Sequence, residues 1–189
     1  MRACPLVVLI LAAASSPGAS AQCADLRTPY AAQAHEADVL HLPTPAPVVV
    51  EMLRLARVSP ADVVYDLGSG DGRIPITAAR DFGARGVGIE LDARLIALGR
   101  CNARAAGVAD KVDFREEDLL GTDLREATVV TLFLFPELNR RLMPKLLAEL
   151  KPGTRIVSHR FDLGDWAPER VAQSGGHLIL QWTVPAQSR

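Results

Sequence analysis

No long run of one charge occurs in this sequence. Its 21 lysines and arginines face 22 aspartates and glutamates, a formal net charge of −1, which makes it a poor electrostatic match to nucleic acid. Arg140, Arg141 and Lys145 form a local cluster, a grouping that on a helix serves as a solvated face. Internal repeats and low-complexity tracts are also missing. His35 and His41 stand six apart with no adjoining ligand set, so no metal site is expected. Apolar runs are short. The longest near the N-terminus, Pro5 to Ala14, cannot comfortably cross a bilayer. Cysteine is scarce, with three residues; Cys23 and Cys101 could pair in an oxidising compartment, or Cys101 could be a buried helix residue.

The first residues read as a leader. Met1-Arg2, the Pro5–Ala14 stretch and Ser15 to Ala21 follow the order of a charged, an apolar and a small-residue region. Ala19-Ser20-Ala21 fits the A-x-A cleavage rule. The expectation is a signal peptide over residues 1–21, export of the remainder, and an N-terminal arm over 22–41 carrying at most a short helix.

From Leu42 onward the pattern is regular. Thr44 is placed to cap a helix whose apolar face is Val48, Val49, Met52, Leu53 and Ala56. Strands are expected at Val63–Leu67, up to Glu90, at Val112–Phe114, Thr128–Leu134 and Arg155–His159. Helices are expected between them, over about Gly72–Phe82, Ala93–Ala106 and Pro136–Leu150, the first two stopped by Gly83 and Gly107. Strand–helix alternation of this kind predicts an α/β domain over 42–189 built on a doubly wound, mostly parallel sheet. Arg170–Gln173 and Leu178–Val184 flank Gly175-Gly176, which predicts an antiparallel hairpin. Phe161 to Glu169 leaves room for only a reduced helix before it.

The most informative stretch is Asp66-Leu67-Gly68-Ser69-Gly70-Asp71-Gly72, with Glu90 closing the next strand. Three glycines at alternate positions make a strand-to-helix bend whose backbone a ligand can approach. Glu90 can accept ribose hydroxyls. A dinucleotide loop would read G-x-G-x-x-G; here the third glycine comes one residue early, and two carboxylates flank the bend. Those carboxylates repel a pyrophosphate and attract an ammonium and a sulfonium.

In these residues the chain resembles the class I S-adenosylmethionine (SAM)-dependent methyltransferases, whose first motif is an acidic residue followed by G-x-G-x-G. The resemblance covers Leu42 to Ala186 and implies a Rossmann-like methyltransferase fold with seven strands. It implies that Asp66 engages the methionine ammonium and that Gly68, Gly70 and Gly72 admit the methionine moiety and ribose. Glu90 then takes the ribose hydroxyls and Asp118 the adenine amino group. Asp71 either contacts SAM or binds exposed N–H groups at the helix start, and Asp118 could instead cap a turn.

Leu42-Pro43-Thr44-Pro45, Phe135-Pro136-Glu137-Leu138-Asn139 and Ser158 to Trp166 narrow the likeness. Together they resemble small bacterial relatives of the mitochondrial lysine methyltransferases that act on the c component of ATP synthase and on the adenine nucleotide carrier. That likeness implies Thr44 near the SAM carboxylate. Many amino-group methyltransferases carry Asp/Asn-Pro-Pro-aromatic after the fourth strand. Here Phe133-Leu134-Phe135-Pro136-Glu137 stands instead, an apolar mouth with one carboxylate.

Such a mouth suits a lysine-like chain, lined by Phe133, Phe135 and Pro136. Glu137 is then an orienting group or final proton acceptor, and His159 either a second proton acceptor or a histidine satisfied by local hydrogen bonds. Asp162 is a further substrate candidate, and Trp166 either walls the cleft or packs under the hairpin. The expected activity is methyl transfer from SAM to an amine, a protein lysine ahead of a small molecule. A small-molecule N- or O-methyltransferase and a non-catalytic SAM or nucleoside sensor are the alternatives. A monomer without nucleic-acid or membrane partners is expected.

Overall fold

A computed structural model describes residues 43–186. The leader, the arm and Cys23 lie outside the described residues, as does any pairing of Cys23 with Cys101. Cys101 itself is a buried helix residue. The elements run α1 (Ala46–Leu55), β1 (Val63–Leu67), α2 (Arg73–Phe82), β2 (Arg85–Glu90), α3 (Ala93–Ala105), β3 (Val112–Glu116) and β4 (Val129–Leu132). Then follow α4 (Pro136–Glu149), β5 (Arg155–His159), β6 (Arg170–Ser174) and β7 (His177–Thr183).

One seven-stranded sheet has the order β3-β2-β1-β4-β5-β7-β6. The first five strands pair in parallel, and β7 runs antiparallel to both β5 and β6. Parallel strands need crossovers, and those crossovers cover both faces with helices. Val64, Val129, Val157 and Ile179 point to one face and pack with Val48, Val49, Met52 and Leu53 of α1 and Ile74 and Ala78 of α2. Tyr65, Leu67, Val130, Leu132, Ile156 and Trp182 point to the other, against Leu142 and Leu146 of α4. This is the doubly wound sheet with a C-terminal hairpin that the sequence predicts. Gly175 and Gly176, at φ +56° and +80°, make its two-residue turn, the handedness that a right-twisted hairpin prefers.

Four local expectations are corrected. Thr44 does not cap α1: the N-cap is Pro45, no side chain caps it, and a proline in the first turn supplies the entry geometry. α2 starts at Arg73, because Gly72 is left-handed at φ +78°. The fourth strand ends at Leu132 rather than Leu134. Pro136 has no N–H and holds Phe135 extended at φ −62°, ψ 152°, so Phe133 to Phe135 peel away from the sheet. Between β5 and β6 there is no helix, only a loop pinned by a Leu163–Trp166 bridge.

Candidate active site

The bend after β1 is fastened to β2 from below. The N–H groups of Gly68 and Ser69 both reach the Ile89 carbonyl at 2.9 Å, and Gly70 N–H donates to Glu90 Oε2 at 2.9 Å. Gly68, Gly70 and Gly72 all have positive φ, +81°, +53° and +78°, which only glycine adopts without strain. Their uses differ. Gly68 is exposed and open to a ligand. A Cβ on buried Gly72 would lie 2.4 Å from Phe114 Cζ, so this glycine serves the packing of α2 on β3 rather than the approach of a ligand.

Strand alternation sets the charged groups. Val64 and Val129 pack toward α1 and α2, so Asp66 and Thr131, two residues on and paired in register, share that face. Thr131 Oγ1 donates to Asp66 Oδ1 at 2.7 Å. Asp66 is 3% exposed. Burial pushes its carboxyl up to about 7, against the pull of the Thr131 bond, and the negative charges of Glu90 and Asp71 push it further. A buried carboxyl in that state gains most from a neighbouring cation.

Asp71 is half-buried and paired with Arg73. It accepts from Arg73 N–H at 3.2 Å and from Arg73 Nε and Nη2 at 2.9 and 2.6 Å, which ties it to the helix start. Arg73 also donates from Nη1 to the Thr44 carbonyl at 2.9 Å. Glu90 takes Gly70 N–H on Oε2, and Leu91 and Asp92 N–H at 2.8 and 3.1 Å on Oε1. Three of its roughly four acceptor directions are filled. It is rigidly aimed, with capacity left for a hydroxyl on Oε2. Asp118 lies two residues beyond β3, exposed, and accepts from Leu120 N–H at 2.9 Å. It caps a turn and keeps a second oxygen.

Sequence reasoning misses two further groups here. Ser69 Oγ is buried in the bend with no hydrogen-bond partner among the described residues, the kind of polar atom a bound ligand satisfies. Leu91, next to Glu90, is 65% exposed, an apolar surface suited to a flat base. Glycine bend, buried carboxyl, aimed Glu90 and orphan hydroxyl fit SAM.

At the same end of the sheet β4 and β5 deliver an aromatic mouth. The Phe133 ring lies 4.1 Å from the His159 ring and 6.2 Å from Phe161, and Phe135 lies 6.0 Å from Phe161. Phe135 is 52% exposed and forms the rim, with Pro136 opening α4 behind it. Arg160 shapes this mouth through its backbone. Phe161 N–H reaches back to the His159 carbonyl at 2.9 Å, closing a three-residue turn around Arg160 at φ +70°, the strained hand of the γ-turn. Asn139 Nδ2 holds the loop by donating to the Asp162 carbonyl at 2.9 Å.

His159 is buried beneath the mouth. Its Nδ1 is 3.2 Å from Thr44 Oγ1, and its Nε2 is 2.9 Å from His177 Nδ1. Burial, with help from His177 and Arg160, holds its imidazole down at about 4, so it is neutral at physiological pH. Glu137 is exposed on the first turn of α4 and paired with Arg140. Asp162 Oδ1 accepts from Gly164 N–H at 3.1 Å. Trp166 packs on Trp182 of β7, whose indole N–H its carbonyl accepts at 2.6 Å. Phe161 and His177 are also beyond the sequence reading. Phe161 has a signal in the run His159-Arg160-Phe161; His177 has none.

The comparisons agree with this geometry. Residues 66–170 match the family described as the ANTKMT methyltransferase domain. A protein-lysine N-methyltransferase of Saccharolobus islandicus is 47% identical over 70% of this chain and 83% of its own length. The adenine nucleotide translocase lysine N-methyltransferase of Mus musculus is 40% identical over 72% of this chain. A second mouse enzyme, the lysine N-methyltransferase of the ATP synthase c component, is 34% identical over 74%; the chain spans 59% and 54% of their lengths. Among solved structures, an RNA methyltransferase from Salinibacter ruber in complex with S-adenosyl-L-homocysteine is 55% identical. Its TM-score is 0.76 over 78% of this chain and 97% of that one. The chain is a SAM-dependent methyltransferase, and it belongs to the ANTKMT methyltransferase domain family.

Proposed function

We propose that the protein transfers a methyl group from SAM to the ε-amine of a protein lysine. The observation that carries this is the mouth of Phe133, Phe135 and Phe161 over a neutral His159. When bound, SAM supplies an electrophilic methyl group on a sulfonium. Asp66 and Glu90 hold the two ends of that ligand, and Ser69 Oγ is available between them. Positioning of reactants is worth about 7–11 kcal/mol.

The acceptor must also lose a proton. Neutralising a lysine of pKa near 10.4 at pH 7 costs about 4–5 kcal/mol. An aromatic, partly dry mouth lowers that cost by desolvating the ammonium, while ring faces still attract the cation as it enters. Exposed and paired with Arg140, Glu137 fits guidance of an incoming chain at the rim better than proton removal. Names of the Saccharolobus and mouse relatives support lysine as acceptor.

RNA is a second reading, favoured by the name of the Salinibacter protein. The charge balance opposes it. Small-molecule amines or hydroxyls are the remaining acceptor class. The deciding experiment incubates the protein with methyl-labelled SAM and a whole-cell extract, then separates protein, RNA and small molecules. Label on lysine ε-nitrogen, absent with Glu90→Ala, is the expected result; label confined to RNA or small molecules refutes it.

Export through the leader at residues 1–21 and a monomeric state belong to the same proposal. Export would require a supply of SAM outside the cytoplasm. A chain recovered wholly in the cytoplasm with Met1 retained would overturn the leader, and a dimer mass by light scattering would overturn the monomer.

A further inference from the structure

Thr44, His159 and His177 form a continuous hydrogen-bonded line. Thr44 Oγ1 lies 3.2 Å from His159 Nδ1, and His159 Nε2 lies 2.9 Å from His177 Nδ1. Three separate elements meet in it: the segment before α1, the end of β5 and the start of β7. The inner end sits between the two halves of the site. The Thr44 carbonyl is held by Arg73 at the glycine bend, while its hydroxyl touches the histidine that lies against Phe133. Thr44 is 4% and His159 1% exposed, so bulk water does not reach either freely. His177 is half-buried beside the Gly175-Gly176 turn, at the edge of the molecule.

We propose that Thr44, His159 and His177 are a proton relay that carries the acceptor amine's proton from the dry mouth to solvent. This rests on the lysine reading above. Thr44 Oγ takes a proton from the substrate ammonium as its own passes to His159 Nδ1. The proton on His159 Nε2 moves to His177 Nδ1, and that on His177 Nε2 leaves to water. The amine keeps its electron pair for the methyl group, and no residue retains a net charge. Starting tautomers must therefore carry hydrogen on Nε2 of both histidines.

Neutrality of His159 is supported by its surroundings. The charged or titratable groups that act on His159 are His177 from β7 and Arg160 from its own strand end. From the β4 end it meets Phe133, and from the segment before α1 it meets Thr44. Among the described residues no carboxylate acts on it, so none of them traps the proton as an imidazolium.

The test uses the full chain, labelled SAM and the whole-cell protein extract as acceptor. His177→Asn keeps an amide oxygen near the Nδ1 position, and so a partner for His159, but cannot pass a proton on. At pH 7 it should lower the transfer rate by about 100-fold, in the range of acid–base assistance. The deficit should shrink towards pH 9.5, where lysine deprotonates unaided, and affinity for SAM should be unchanged. Free imidazole should restore part of the activity of His177→Ala at pH 7.

Nitrogen NMR of the histidine rings should find both as Nε2–H tautomers in the wild type. Lysine labelling with a wild-type rate, or with the same deficit at every pH, overturns the relay alone, as does an Nδ1–H tautomer at His159. Label on RNA instead of lysine removes the ammonium the relay serves and overturns both readings.

Discussion

Replacing Asp66 by asparagine removes a carboxylate and leaves an oxygen for Thr131 Oγ1, which donates to it at 2.7 Å. Two opposite effects follow. In the folded chain without ligand the carboxyl sits at about 7 rather than 3.8. Below 3.8 both folded and unfolded chains hold the proton. Between 3.8 and 7 only the folded chain does, so this group's contribution to stability falls as pH rises and is fully lost above 7. At 1.36 kcal/mol per pKa unit the interval corresponds to roughly 4 kcal/mol. Asp66→Asn escapes that loss, so without ligand at about pH 8 it should melt several degrees above the wild type. Near pH 3.8 the two should nearly coincide.

SAM binding should respond the other way. A cationic ligand binds the ionised carboxylate, whose fraction falls from about three quarters at pH 7.5 to about one eleventh at pH 6, so affinity should drop about eightfold. Asparagine should bind about 10–100-fold more weakly at pH 7.5 and show no such slope. Thermal melts and calorimetry across that range measure both effects. A variant no more stable than wild type at pH 8, or one with the same pH slope for SAM, refutes the reasoning.

Glu90→Ala unties Gly70 and should weaken SAM and S-adenosylhomocysteine by at least about tenfold in calorimetry, with NAD binding neither protein; NAD binding would contradict the site. Gly72→Ala forces a methyl group into Phe114, 2.4 Å from Cζ, at a left-handed φ of +78°. It should cost about 2–4 kcal/mol in denaturant unfolding. Arg160→Gly releases the turn at φ +70° and should raise stability by about 0.5–1 kcal/mol while lowering transfer, because Phe161 is no longer held. Phe161→Ala should raise KM for a lysine acceptor about tenfold, the worth of one ring facing a desolvated cation, and leave SAM affinity alone; an unchanged KM would place the acceptor elsewhere.

The sheet and the cofactor bend are legible because their signals are local. Glycines at alternate positions, a carboxylate at the end of a strand and Gly after each of two helices have one structural meaning each. Thr44 shows where locality fails. A threonine before a proline-led helix is a plausible cap, yet its hydroxyl is drawn to His159, 115 residues away. Asp71 is ambiguous in the sequence because a neighbouring arginine competes for it. His177 leaves no trace there at all: its role depends on β7 inserting beside β5, which brings the start of that strand to the end of the other. Trp166 stays undecided until Trp182 supplies a buried partner.

The strand order carries a consequence for assembly. β6 precedes β7 in the chain but touches only β7 in the sheet, so β6 has no place to bind until its successor has docked. Whether the hairpin closes before or after β7 meets β5, β6 is the last strand the sheet can accept on that side. Docking of β7 brings His177 to His159. The cradle for SAM is tied through β1 and β2, whereas the contact between the two histidines exists only with β7 in place.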